Sequence, residues 1–195
     1  MRNILFFGII TICSLEVLSG CMSYTTLQTA ETLDPGRVEV GAGALVMSDG
    51  ALPELGGRIG VIKNMDVGIK YSAPYLLVID GKYQFIDAGI DGSVDFGWSN
   101  FNENGVRTNG YYPMIIFGQK HWYGGVKLNY LTSKGNVSLL GDEKYTFSKT
   151  AYYATNIIAG AMIGTENFHG LIELNTHITK TRTFYLPAVG FYFGF

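Results

Sequence analysis

The stretch Tyr75–Ile86, YLLVIDGKYQFI, alternates apolar and polar residues: Tyr75, Leu77, Ile79, Tyr83 and Phe85 share one face, and Asp80, Lys82 and Gln84 the other. A side-chain period of two belongs to a strand, and about ten such residues suffice for a tilted strand to cross the hydrocarbon of a bilayer. The following stretch repeats the pattern. In AGIDGSVDFGW, Ala88–Trp98, the residues Ile90, Val94, Phe96 and Trp98 oppose Asp91, Ser93 and Asp95. Further on, Trp122, Val126, Leu128 and Tyr130 oppose His121, Lys127 and Asn129, while Phe168, Ile172 and Leu174 oppose His169, Glu173, Asn175 and His177. The closing FYLPAVGFYFGF sets Tyr185, Val189, Phe191, Phe193 and Phe195 on one side.

About ten segments read this way: 37–46, 55–62, 65–72, 75–86, 88–98, 111–118, 121–132, 152–163, 168–178 and 184–195. Strands in lipid must pair every backbone group, which only a closed barrel achieves. The expected fold is therefore all-β, an antiparallel up-and-down transmembrane β-barrel of about ten strands, or eight if neighbouring segments merge. Composition agrees: 26 glycines, 13 tyrosines and 12 phenylalanines in 195 residues, with 15% charged, suit strands far better than helices. A net charge of -2 offers no basic footprint for nucleic acid.

The connections predict an orientation. Lys63-Asn64, Ile86-Asp87, Gln119-Lys120 and 164–167 are short, and those after the first, fifth and seventh segments are longer, the longest being 133–151. Short periplasmic turns and longer outer loops place both barrel termini on the periplasmic side. A turn at Ile86-Asp87 would set Lys82 opposite Asp91 and Leu77 opposite Phe96, with Tyr75 beside Trp98 at the outer rim. The polar faces collect Glu39, Arg58, Asp66, Lys70, Asp80, Lys82, Asp91, Asp95, Lys127 and Glu173 in the lumen. Both signs occur in similar numbers, and buried charge must be paired or solvated, so an ion-pair network is expected to fill this narrow lumen.

At the N-terminus, Met1 and Arg2 supply positive charge ahead of an apolar run from Ile4 to Leu15, too short to span a membrane as a helix. Small residues follow, an order typical of a secretory signal. Leu18-Ser19-Gly20-Cys21 resembles the bacterial lipobox, with Glu16 a departure from the usual apolar surroundings. That resemblance implies cleavage after Gly20 and acylation of Cys21, giving a signal peptide at 1–20, a lipidated N-terminus and tether at 21–36, and a barrel domain at 37–195. Cys13 would leave with the signal and Cys21 would be taken by lipid, so no thiol remains for a disulfide, a metal or nucleophilic chemistry. The alternating aromatic end at Phe195 resembles the terminal strand recognised by the outer-membrane assembly machinery. The implied location is the bacterial outer membrane, and the implied partners are its lipid together with the lipoprotein-processing and barrel-assembly machinery.

Catalytic signals are sparse. His177 follows Glu173 by four residues, and a histidine and carboxylate near the outer rim resemble the omptin proteases and the lipid A deacylases. The deacylase pattern requires His-x-Ser with a downstream acid, whereas His177-Ile178-Thr179 is followed by no Asp or Glu. No cofactor or metal motif is present. Three readings follow: a lipid-anchored structural or interaction barrel with loop 133–151 as its contact surface for a protein partner, an enzyme using His177 and Glu173 at the outer rim, and a soluble lipocalin-like barrel holding a small apolar ligand. The last would carry its lysines and carboxylates on the outside.

Overall fold

The computed structural model describes residues 25–47, 50–73, 75–103, 106–138 and 144–195. It contains ten strands: β1 (Val38–Met47), β2 (Gly50–Ile62), β3 (Met65–Ser72), β4 (Leu76–Asp87), β5 (Asp91–Glu103), β6 (Val106–Gln119), β7 (Trp122–Ser138), β8 (Lys144–Gly164), β9 (Phe168–Ile178) and β10 (Thr183–Gly194). Each pairs antiparallel with its sequence neighbour, and β1 pairs with β10 to close the barrel. The strand number is ten, not eight.

Alternation sorts the side chains as the sequence reading expects. Leu55, Ile69, Phe96, Ile163, Ile172 and Phe191 stand exposed on the outer surface, while Asp66, Lys82, Asp95, Lys127 and Glu173 are buried inside. Aromatic residues gather at two levels of that surface. Tyr71, Tyr75, Tyr111, Tyr153 and Tyr185 lie toward the far end, and Phe85, Phe117, Trp122, Phe168 and Phe193 toward the end that holds the barrel termini. On β10 the nine residues from Tyr185 to Phe193 cover about 26 Å of strand, or roughly 20 Å along the axis at a strand tilt of about 40°. An apolar band of that height between aromatic girdles is the surface of a barrel solvated by lipid. A lipocalin-like barrel would show the reverse polarity.

Inside, several tyrosines lie over glycines on the adjacent strand. Tyr112 pairs across from Gly97, Tyr123 from Gly160 and Tyr192 from Gly41. A Cβ on Gly97 would sit 2.1 Å from Tyr112 Cζ, and one on Gly160 would sit 2.2 Å from Tyr123 Cζ. The ring takes the space that the missing side chain leaves, which links the high glycine and tyrosine contents to one packing device.

Two expectations are corrected. The β4–β5 hairpin turns through Ala88-Gly89-Ile90 and not at Ile86-Asp87, so Lys82 faces Asp95, Ile79 faces Trp98 and Leu77 faces Asn100. Gly89 supplies the left-handed conformation, φ 84°, that Ile86 and Asp87 would adopt only at a cost, and a bulge between Gln84 and Ile86 absorbs the offset. The long loop expected at 133–151 is mostly strand: β7 runs to Ser138 and β8 begins at Lys144. Strand pairing continues beyond the segments that the alternation marks, with Val137 opposite Tyr145 and Gly135 opposite Phe147.

Candidate functional site: a lumenal segment and its seat

The residues ahead of β1 do not hang outside the barrel. From Gly36, with φ 83°, the chain turns into the lumen, clasped to β2 by Gly36 N–H on Gly60 O at 2.8 Å and Gly60 N–H on Arg37 O at 2.9 Å. Glycine at position 60 allows this close approach, since a Cβ there would lie 2.0 Å from Asp34 O and force the segment to shift. From Leu33 back to Thr25 the segment lies along the lumen, and Thr25, Thr26, Leu27, Gln28 and Ala30 are all buried. The part of the chain read as a tether is therefore, from Thr25 on, a plug.

An extended segment without strand neighbours must find partners for its backbone, because buried N–H and C=O groups left unpaired are costly. The inward side chains supply them in order. Nearest the clasp, Asp66 Oδ2 accepts from Leu33 N–H at 3.1 Å, and Gln84 Oε1 accepts from Thr32 N–H and its hydroxyl at 3.0 and 2.8 Å. Lys82 Nζ donates to Glu31 O and Thr29 O at 2.6 and 3.0 Å, and the Ser93 hydroxyl donates to Ala30 O. Gln28 Nε2 donates to Asp95 Oδ2 at 2.5 Å. Farthest in, Lys70 Nζ reaches Thr25 O at 2.8 Å, and the Thr25 hydroxyl donates to Glu54, which also takes the Ser72 hydroxyl at 2.6 Å.

Glu173, on β9, is the focus on the opposite wall. Its carboxylate accepts from Thr26 N–H at 2.7 Å, Leu27 N–H at 2.8 Å, Tyr123 O–H at 3.0 Å and Asn175 Nδ2 at 2.7 Å. Leu27 has φ 46°, and that left-handed residue turns two successive N–H groups toward one anion. The Leu27 side chain meets the wall where Gly43 and Gly190 leave room; a Cβ on Gly43 would come within 2.8 Å of it.

The charged residues predicted for the lumen fall into several groups. Arg58 bonds Asp66 through Nε at 2.9 Å and reaches Asp80 through Nη2 at 2.7 Å, while Lys82 lies 3.4 Å from the other Asp66 oxygen. Lys70 pairs with Glu54 at 3.7 Å. Lys127 stacks over the Tyr112 ring, 4.0 Å from its centroid. Glu39 meets His169 at 3.5 Å, and that imidazole lies nearly parallel to the Tyr192 ring. Asp91 stands apart at the mouth near the barrel termini, accepting from Gln84 Nε2 at 3.0 Å. Glu31 is exposed at the same mouth; partial burial, then the nearby Asp91 and Glu166 carboxylates, hold its carboxyl above the usual range. Gly20 and Cys21 lie outside the described residues.

The expected pairing of His177 with Glu173 does not form a catalytic unit. Four residues along a strand separate them by about 13 Å, and both are buried. His177 Nδ1 bonds Asn156 Oδ1, and Glu173 is occupied by the segment. Among the described residues, no group of three or more His, Cys, Asp or Glu could hold a metal ion. Sequence reasoning missed Glu54, Ser72, Ser93, Tyr123 and Asn175 as parts of the seat, and the segment itself. One signal was present: more inward polar groups than the charges need for one another.

No protein-family model matches the chain, and no curated protein matches it. Among solved structures, it is similar to the N-terminal β-barrel domain of Pseudomonas aeruginosa OprF, with 16% identity over 84% of this chain and 100% of that one at a TM-score of 0.35. The KdgM porin, in complex with disordered oligogalacturonate, has 13% identity over 80% and 99% at 0.44. Yersinia pestis Ail, in a phospholipid bilayer nanodisc, has 11% identity over 82% and 99% at 0.37.

Proposed function

We propose that this protein is a lipid-anchored barrel of the bacterial outer membrane with a structural or interaction role, closed to solutes by its own N-terminal segment. The observation that carries this reading is the seat: backbone groups from Thr25 to Leu33 are matched one after another by inward side chains. A cavity of about 30 Å³ remains beside the segment, room for a few waters and not for a permeating solute. The outer surface, with its apolar band and two girdles, supports membrane insertion. The usual arrangement of such barrels puts the termini and their neighbouring turns in the periplasm. The β7–β8 hairpin, 17 and 21 residues long against 8 to 13 in β1–β4, then rises from the outer face as the contact surface for a partner.

Conductance in planar bilayers tests the closed state. The whole protein should be silent, and a variant lacking residues 25–34 should open stepwise channels. Equal conductance from both would end the plug reading. Membrane insertion is checked separately: a Cys21→Ala protein exported by an ordinary cleavable signal should resist carbonate washing and shift in gel migration on boiling. Its release as soluble protein would mean that lipid alone held it.

A further inference from the structure

The outward face of β5–β8 changes chemistry in steps toward the end opposite the barrel termini. Ile115 faces Val126 within the apolar band. Next comes an aromatic row across four strands, Trp98, Tyr111, Tyr130 and Tyr153, each opposite the next in the ladder. Asn100, Asn109 and Thr132 make the row beyond it, with Asn100 Nδ2 donating to Asn109 Oδ1 at 2.9 Å. The row after that sets Arg107 directly opposite Lys134, both exposed. Apolar, aromatic, neutral polar, then cationic is the order of environments met on leaving the hydrocarbon of a leaflet. Arg107 lies four residues beyond Tyr111, about 13 Å of strand or roughly 10 Å along the axis, and long cationic side chains reach headgroup phosphates from that height.

Facing residues on neighbouring strands have Cα atoms about 5 Å apart, and like charges placed so repel. In the lumen Arg58, Lys70 and Lys82 each have a carboxylate, whereas among the described residues neither Arg107 nor Lys134 takes part in an ion pair. The cationic row is also local. At the same end of β1–β3 the outward residues are Val46, Ala51, Pro53 and Tyr71. We infer that the β6–β7 face holds the phosphorylated headgroup of a membrane lipid, in the outer leaflet when the termini are periplasmic. The inference rests on the outer-membrane reading above and adds a lipid site to it. A phosphate set between the two side chains accepts a forked pair of bonds from the Arg107 guanidinium and another from the Lys134 ammonium, so repulsion gives way to two attractions. The neutral row beneath suits the oxygens that join headgroup to chains, and the tyrosine row suits the start of the chains themselves. A zwitterionic headgroup carries the same phosphate but brings a cation of its own to a place that already has two. Binding should therefore favour a net anionic lipid.

Calorimetric titration of the detergent-purified full chain with dihexanoyl phosphatidic acid, dihexanoyl phosphatidylcholine and inorganic phosphate tests the site. Phosphatidic acid should bind more tightly than either other probe. The double variant Arg107→Gln/Lys134→Gln should weaken it about thirtyfold, and the charge-conserving Arg107→Lys/Lys134→Arg should retain it. Lys180→Gln/Arg182→Gln removes two exposed cations from the β9–β10 turn at the same end and should change the affinity by less than about threefold. Every variant should still shift in gel migration on boiling, which shows that the barrel has formed. Unchanged affinity in Arg107→Gln/Lys134→Gln, or an equal loss in Lys180→Gln/Arg182→Gln, would overturn the site and leave the barrel reading standing. Inorganic phosphate binding as tightly as phosphatidic acid would make this an anion site and remove the lipid. The leaflet is read separately, from Lys180→Cys labelled by a membrane-impermeant maleimide, with unsubstituted protein as the baseline. Labelling in intact cells is expected; labelling only after permeabilisation would overturn the outer-leaflet assignment together with the orientation beneath it.

Discussion

The two halves of the barrel wall hold the same segment in different ways. On β2–β5 the hold is spread over Glu54, Asp66, Lys70, Lys82, Gln84, Ser93 and Asp95, several of them also paired with one another. On β6–β9 the inward face is largely apolar or amide, with Met114, Ile116, Leu131, Asn156, Ile158 and Leu171 buried there. The hold on that side is concentrated in Glu173, whose four donors are two backbone N–H groups, a tyrosine and an asparagine. A distributed site has neighbours that take over when one member is lost. Beside Glu173 the far wall adds a weak contact, the Thr26 hydroxyl to Met114 Sδ at 3.6 Å, so equal substitutions on the two sides should have unequal effects.

Glu173→Ala should have the largest effect. It strands four buried donors at about 1–3 kcal/mol each, partly relieved by rearrangement, for a net loss of about 4 kcal/mol. The strand ladder is untouched, so the barrel should still fold and shift on heating, but with a lower midpoint and with channel openings in bilayers. A silent, unshifted variant would show that the far wall does not hold the segment. Lys82→Met removes two charge-assisted bonds to Glu31 O and Thr29 O and one partner of Asp66, but Arg58 remains on that carboxylate. A loss of about 2 kcal/mol in the same thermal assay is expected, smaller than at Glu173. If Lys82→Met proves the more damaging, the contrast between the walls is reversed.

What was legible in the sequence follows the same division. The segments 65–72 and 168–178 coincide with β3 and β9 because each has one face in lipid and one in a polar lumen, so alternation is written into every residue. Over the outer parts of β7 and β8 the sequence SKGNVSLLGDEKYTFSKTA mixes glycines and charges with its apolar residues and shows no clear stripe. The segment 25–34, TTLQTAETLD, carries no period at all. It is bound mainly through backbone atoms, which are the same in any sequence. The charged lumen could be read as a set of residues; that some of its polar groups serve a segment of the same chain could not.

Two smaller effects refine the comparison at the clasp. Gly60→Ala puts a methyl against Asp34 O and Leu33 O, and overpacking of this kind costs about 1–3 kcal/mol. The expected signature is a modest drop in midpoint with conductance still closed, because the seat above the clasp is intact. Persistent openings would place the weight of the hold at the clasp instead. Glu31→Gln should act in the opposite direction and least. A carboxyl whose folded pKa is raised favours the folded state only when protonated, so its cost is absent at low pH and grows as pH rises through the folded pKa. The variant should be slightly more resistant to heating than the natural protein near neutral pH and indistinguishable from it in acid. A difference that is larger in acid would contradict the sign.

The distance in sequence between the segment and its seat sets an order of events during assembly. The clasp joins Gly36 to Gly60 and can form as soon as β2 is made, whereas Thr26 finds Glu173 at a separation of 147 residues, on the penultimate strand. The segment leads inward from the clasp with Thr25 deepest, so it can enter either while the wall closes or afterwards through the mouth that the clasp marks. Contacts of such long range form slowly. β10 pairs with β1 and with β9, the strand that carries Glu173, so the closing of the cylinder and the completion of the segment's seat depend on the same last strands.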